Sequence, residues 1–157
     1  MQILAKWLVF FAATLTPSLA MAADSVGLTS AVFVERELTD SEGKPRIELR
    51  APQLVTPGDR LVFILSYHNQ GATPAKQFTV TNPLPSAVAF ASTPDEAALV
   101  SVDGGRNWGT LSKLLVHEVD GRWRSARPED VTHIRWTLAQ PLRVGGTGKL
   151  SFRGTVR

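Results

Sequence analysis

Residues 60–68 read RLVFILSYH, and this stretch decides the fold of the chain. Large apolar or aromatic residues occupy every second position and share one face: Leu61, Phe63, Leu65 and Tyr67. This period of two is that of a β-strand. The opposite face also holds Val62 and Ile64, so both sides of the strand are apolar and it belongs inside a sheet. The sequence therefore predicts a central strand over residues 60–68.

The same alternation continues on both sides of this strand, interrupted by turn residues. It predicts strands over residues 28–37, 46–53, 88–91, 97–102, 113–119, 122–125, 131–138 and 149–156. Ile47 and Leu49 share a face of the second of these, and Phe78 and Val80 form a further inward pair. No segment keeps a helical period, and the one helix candidate is a turn over residues 94–97. Short strands at this spacing predict an all-β protein built as a β-sandwich.

Three segments predict turns from their chemistry. In residues 56–59, Thr-Pro-Gly-Asp, proline fixes one φ angle and glycine permits another. In residues 82–85, Asn-Pro-Leu-Pro, two prolines remove two amide donors and turn the chain away from its sheet. Asp120-Gly121 predicts a type I′ turn that joins residues 113–119 and 122–125 into a hairpin.

The amino end predicts export. Lys6 precedes an apolar stretch over residues 7–15, Pro17 breaks it, and Ala20-Met21-Ala22 provides the small residues of a cleavage site. Residues 1–22 are therefore interpreted as a signal peptide, and residues 23–157 as a single domain. The apolar stretch is about half of the roughly 20 residues that span a bilayer, so no membrane span is expected. We expect a periplasmic or secreted protein.

Composition excludes several classes of protein. The chain has no cysteine, which excludes disulfides and thiolate chemistry. Its net charge is only +3, and basic and acidic residues are interspersed, so no nucleic-acid partner is expected. The densest basic cluster is Arg122, Arg124 and Arg127 around Trp123. This cluster can meet an anionic partner, or it can be an ordinary exposed hairpin.

An ordered set of short motifs carries a resemblance to a known family. The set comprises Pro57-Gly58-Asp59, a strand ending in Asn69-Gln70-Gly71, then Ala75, Val80 and the Asn-Pro-Leu-Pro of residues 82–85. It resembles the immunoglobulin-like repeat of bacterial surface and periplasmic proteins, a domain of unknown function (number eleven in that series). The resemblance covers residues 55–156, with an insert after Ser92. It implies an immunoglobulin-like antiparallel β-sandwich and brings no catalytic residues.

A second resemblance lies in residues 101–108, SVDGGRNW. It resembles the Asp-box, Ser-x-Asp-x-Gly-x-Thr-Trp, with Asn107 where threonine is usual. In sialidases and other proteins that carry it, the box is structural and distant from catalysis. We expect Ser101, Asp103, Gly105 and Trp108 to form a rigid hairpin, with Asp103 accepting backbone N–H bonds and Trp108 folding back.

Signatures of catalysis and of metal binding do not emerge. There is no G-x-S-x-G segment, and His68, His117 and His133 lack metal-ligand spacing. His68 and His133 are expected to point away from the apolar faces, although a metal site assembled from separate strands stays open. Asp103 followed by two glycines does not provide a calcium loop. We expect no enzymatic activity, no cofactor and no metal.

Two functions remain open. The first is a binding or structural component of the cell envelope, which contacts an unidentified envelope protein through residues 113–127 and 101–108. Trp123 is the candidate anchor there, unless it covers the open end of the sandwich. The second is a carbohydrate-binding module or an accessory subunit of a glycan-active system, with Trp108 and Trp123 as the platform.

Overall fold

The computed structural model describes residues 26–157, so the predicted signal peptide lies outside the described residues. The described chain forms ten strands: β1 (Val26–Thr39), β2 (Pro45–Arg50), β3 (Arg60–Asn69), β4 (Thr79–Pro83), β5 (Val88–Ser92), β6 (Leu99–Ser101), β7 (Leu115–His117), β8 (Trp123–Ser125), β9 (His133–Thr137) and β10 (Thr147–Val156). Two single-turn 3₁₀ helices cover Leu111–Lys113 and Pro128–Asp130. Within residues 26–157 there is no α-helix.

All strand pairs are antiparallel and fall into three sheets. A five-stranded sheet has the order β2-β1-β3-β10-β5, a three-stranded sheet the order β4-β9-β6, and β7 and β8 form a separate hairpin. The prediction of an all-β, sandwich-like fold of antiparallel strands is confirmed. The strand predicted to lie inside a sheet, β3, is the middle strand of the larger one.

The core lies between the five-stranded and the three-stranded sheet. From β3 the alternating residues Leu61, Phe63 and Leu65 are buried, as the period of two predicts. They belong to one cluster with Ile134 and Trp136, which β9 contributes from the other sheet. Burial of such side chains contributes roughly 1.5–3 kcal/mol each, so this cluster is the main source of stability.

The hairpin of β1 and β2 extends past the rest of the larger sheet. β1 pairs with β3 over residues 26–34 and with β2 over residues 34–39. Ile47 and Leu49 share a face, as the alternation predicts, but both are exposed. They lie opposite Glu37 and Glu35 of β1, on the face directed away from the core. Strand alternation thus fixed which residues share a face, but not whether that face is covered.

The chain changes sheets at the Asn-Pro-Leu-Pro segment. β4 is an edge strand of the three-stranded sheet and ends at Pro83, whereas the next strand, β5, is an edge strand of the five-stranded sheet. Between them, the N–H of Leu84 donates to the carbonyl of Thr132 at 2.8 Å. The two prolines therefore lie where β4 ends and the chain passes to the other sheet.

The turn at Asp120-Gly121 differs from its prediction. The N–H of Gly121 donates to the carbonyl of Glu118, and Glu118 and Arg122 close the loop with a further bond of 2.8 Å. Only Gly121 in this loop has a positive φ, of 85°. The loop is thus a three-residue connection with a left-handed glycine at its end, so the type I′ prediction is wrong. The side chain of Asp120 favours this turn because it accepts the N–H of Arg122 at 3.1 Å.

Candidate functional site

The side chains of Ser101 and Asp103, in the Asp-box-like segment, organise the loop after β6. Asp103 accepts hydrogen bonds from Ser101 Oγ (2.8 Å) and from the backbone N–H groups of Arg106 (3.1 Å) and Asn107 (2.9 Å). The amide of Asn107 also donates to it at 2.7 Å. These bonds hold the pKa of Asp103 well below its usual range, the backbone bond from Asn107 contributing most. The carboxylate therefore stays charged and keeps the loop closed.

Asn107, which replaces the usual threonine, thus binds the central carboxylate twice. Ser101 is completely buried, and its Oγ accepts the N–H of Gly105 at 2.9 Å. Gly104 and Gly105 have φ angles of 78° and 86°, a conformation that side chains disfavour. The segment is therefore a tightly bonded turn.

Trp108 closes this turn and is only partly exposed. Its Nε1–H donates to the carbonyl of Gly105 at 2.8 Å. The guanidinium of Arg135 lies 3.7 Å from the centre of its ring, a cation–π contact, and His133 meets the ring edge-on. Arg135 and His133 lie on the face of β9 that points away from the core. One ring face of Trp108 is therefore occupied by the protein itself.

Trp123 differs from Trp108 in its exposure. It begins β8, directly opposite His117 of β7, and its side chain is 64% exposed. The centres of the two rings are 4.7 Å apart. His117 therefore supports the indole from one side, while most of the indole faces solvent.

The three arginines around Trp123 have different roles. Arg124 donates two hydrogen bonds to Asp130, of 2.6 and 2.8 Å, and one to Glu118 of 2.9 Å. The bonds that Arg124 donates to Asp130 raise the pKa of Arg124 and lower that of Asp130. Arg124 therefore ties the hairpin to the 3₁₀ turn at Pro128–Asp130.

The other two arginines lie at the surface. Arg122 pairs with Asp120 at 2.7 Å across the exposed turn. The side chain of Arg127 is exposed, while its backbone N–H donates to Asp130 at 2.7 Å. Since acidic neighbours accompany Arg122 and Arg124, the cluster does not form an open positive patch.

Trp123 and the Asp-box-like loop border the same groove, of about 490 Å³. Asp103 and Asn107 line it on the loop side, and Lys113, His117 and Trp123 on the hairpin side. Trp108 is not among its lining residues. The sequence singled out Trp123 and Asp103, and it placed Lys113 and His117 within the candidate segment 113–127 without giving either a role. The pairing of His117 with Trp123 follows once the hairpin register is known.

The remaining histidines lie apart from this groove. His68 is exposed near the end of β3, and His133 is half-buried against Trp108, with Nδ1 3.1 Å from Thr132 Oγ1. Within residues 26–157 no group of three His, Cys, Asp or Glu side chains is arranged to hold a metal ion. The same range contains no helix with the length and hydropathy of a membrane span.

Comparisons with protein-family models, curated proteins and solved structures found no significant match to this chain.

Proposed function

We propose that this chain is an exported, non-enzymatic, immunoglobulin-like domain that binds a protein of the bacterial cell envelope through the β7–β8 hairpin. The observation that carries the proposal is the large solvent-exposed indole of Trp123. Tryptophan is enriched among the residues that dominate binding energy, because it buries a large rigid surface together with a polar N–H.

The hairpin that carries Trp123 is held in place before any partner arrives. Arg124 fixes it to Asp130, and the N–H of Ala126 donates to the carbonyl of Leu114 at 2.9 Å. His117 limits the positions open to the indole. A preorganised anchor loses less conformational entropy on binding, which favours affinity.

The test is capture of partners from envelope extract with the immobilised domain. Trp123→Ala is expected to lose a protein that the unchanged domain retains. Val119→Ala is the matched control, since Val119 is fully exposed on the same hairpin but stands at its tip. Equal capture by all three proteins rejects the hairpin as the binding surface. Arg124 is left unchanged because its loss would loosen the hairpin itself.

A glycan is the second candidate ligand, and the composition of the groove favours it. Beside the exposed ring of Trp123 lie the polar side chains of Asn107, Lys113 and His117. An aromatic face next to hydrogen-bonding groups suits a sugar, whose C–H groups stack while its hydroxyls bond. For glycan binding, Trp123 alone offers an aromatic face for the sugar to stack on, since Arg135 covers a face of Trp108.

Glycan-array binding separates the two candidates. Binding that is lost in Trp123→Ala and weakened in Lys113→Ala favours the carbohydrate module. Val119→Ala again serves as the control. An array on which the unchanged domain binds no sugar rejects this candidate and leaves the protein-binding function.

A further inference from the structure

One edge of the five-stranded sheet is open along residues 26–33. β1 pairs there with β3 on one side. On its other side, β2 pairs only from Val34 onward. Within the part of the chain that the structure describes, no strand covers the outer edge of residues 26–33. Backbone N–H and C=O groups at such an edge are available to another strand.

This edge lacks the features with which proteins protect exposed strands. Residues 26–33 read VGLTSAVF, without charge and without proline. The other outermost strand segments are charged, interrupted or short: β2 contains Pro45, two arginines and a glutamate, β4 ends at Pro83, and β5 and β6 have five and three residues. A long, uncharged edge is the one that accepts an additional strand most readily.

The side chains of this segment are also incompletely covered. Leu28 and Val34 lie on the same face of β1, because they pair with Tyr67 and Leu61 on the core side of β3. Val34 is buried, whereas Leu28 is 49% exposed. A strand added next to residues 26–33 would cover the apolar side chain of Leu28.

We propose that residues 27–33, on this open outer edge, pair with the same residues of a second copy of this chain. The two strands run antiparallel about a two-fold axis and join the two five-stranded sheets into one. The occupant is a second copy because the segment is chemically complementary to itself. In a two-fold pair, charged residues can face their own equivalents and repel, and this segment contains none.

A pairing centred on Ser30 joins residues 27–33 of the two copies and ends before Val34, whose outer side is already paired with Arg50 of β2. It sets Leu28 opposite Val32 of the second copy on the core side. On the other side it sets Thr29 opposite Ala31 of the second copy. This pairing buries the exposed apolar surface of Leu28, and none of the paired side chains is charged. This dimer leaves the β7–β8 hairpin free, so it is independent of the function proposed above.

Sedimentation equilibrium of protein expressed from the full sequence tests the dimer. At high micromolar concentration the unchanged protein is expected at twice the monomer mass. Ser30→Lys and Ser30→Asp each set like charges against each other and are expected to be monomers. A mixture of these two variants is expected to recover the dimer, because opposite charges then meet at the axis. Ser112→Lys, an exposed residue of the 3₁₀ turn at Leu111–Lys113, is the control and keeps the dimer.

Circular dichroism melts of each variant confirm that it is folded, as expected for a substitution at an exposed residue. A monomeric unchanged protein overturns the proposal. So does a dimer that persists in both Ser30 variants, which would place the interface elsewhere. A mixture that stays monomeric overturns the self-pairing centred on Ser30.

Discussion

The ring of Phe63 on β3 lies parallel to the ring of Phe152 on β10, with centres 4.4 Å apart and 2° between the planes. The two residues are direct partners in the strand register. Trp136 of the opposite sheet packs against Phe152 at 6.3 Å. Phe152, which is completely buried, is therefore the point at which two neighbouring strands and the second sheet meet.

Phe152→Ala is expected to lower the free energy of unfolding by about 3–5 kcal/mol, because it removes buried surface and leaves a cavity. Phe152→Leu keeps most of the volume and is expected to lose less. Urea unfolding measures both. Leu115→Ala is the control, since Leu115 is exposed on β7, and it should change stability by less than about 0.5 kcal/mol. A loss near zero for Phe152→Ala would contradict this view of the core.

Asn69→Ala is expected to lower stability by roughly 1–3 kcal/mol, because buried polar groups lose their partners. Asn69 is almost completely buried, and its amide donates to the carbonyls of Thr73 and Leu142, each at 2.9 Å. Its side-chain oxygen accepts the N–H of Gly71 at 3.0 Å. The same urea titration applies, with the exposed neighbour Gln70→Ala as the control. Equal effects of the two substitutions would show that these bonds do not stabilise the fold.

Acid sensitivity is expected from Asp59. The hydrogen bond from Arg36, at 2.6 Å, and then that from the N–H of Thr56 lower the pKa of Asp59 to about 2. The unfolded carboxyl titrates near pH 4, so between about pH 4 and about pH 2 the unfolded state binds more protons. Stability from this residue is present above that window and is lost as the pH falls through it.

Asp59→Asn should therefore reduce the fall in stability between about pH 4 and pH 2, and should lower stability at neutral pH. Thermal unfolding measured across this range provides the test. Arg36→Gln should act in the same direction, since it removes the largest cause of the shift. An unchanged acid profile in both variants would contradict the assigned role of the pair.

Asp103→Ala is expected to loosen the Asp-box-like turn without unfolding the domain. The substitution removes the acceptor for Ser101 Oγ and for two backbone N–H groups. The indole N–H of Trp108, now bonded to Gly105, should then exchange faster with solvent. Two-dimensional NMR follows this signal, with the core indole of Trp136 as the internal reference. Unchanged exchange at Trp108 would show that the carboxylate does not hold the turn.

Gly154→Ala is expected to destabilise the pairing of β10 with β5 by about 1–3 kcal/mol, a usual cost of overpacking. A Cβ at this position would overlap Val88 and lie 2.9 Å from the carbonyl oxygen of Ala89. The strand register shifts between Arg153 and Gly154, so the backbone passes close to its neighbour here. Urea unfolding measures the effect. Ser92→Ala, at an exposed residue of the edge strand β5, is the control.

Local sequence patterns predicted the strands of the two main sheets well, because a strand buried on one face has apolar residues at every second position. The alternation of Leu61, Phe63 and Leu65 located the core side of β3, and that of Ile134 and Trp136 located the facing side of β9. The type I′ prediction failed because Asp-Gly fits more than one short loop. In the loop that forms, the N–H of Arg122 donates to the side chain of Asp120.

The candidate site could be predicted only in pieces. Trp123 and Asp103 were each visible in the sequence, but their shared groove depends on how the β7–β8 hairpin folds against the loop after β6. The contact between Trp108 and Arg135 joins segments far apart in the chain, so no local pattern indicates that a ring face is covered. Likewise, the charges of Arg122 and Arg124 were visible, but the partners of Arg124 were not.

The position of β10 between β3 and β5 affects how the chain can fold while it is being synthesised. Until the ribosome has added residues 147–156, β3 lacks one of its two partners and β5 lacks its only one. The five-stranded sheet therefore cannot be completed before β10 is present. Pairings between such distant parts of a chain form slowly, on a scale of about milliseconds to seconds.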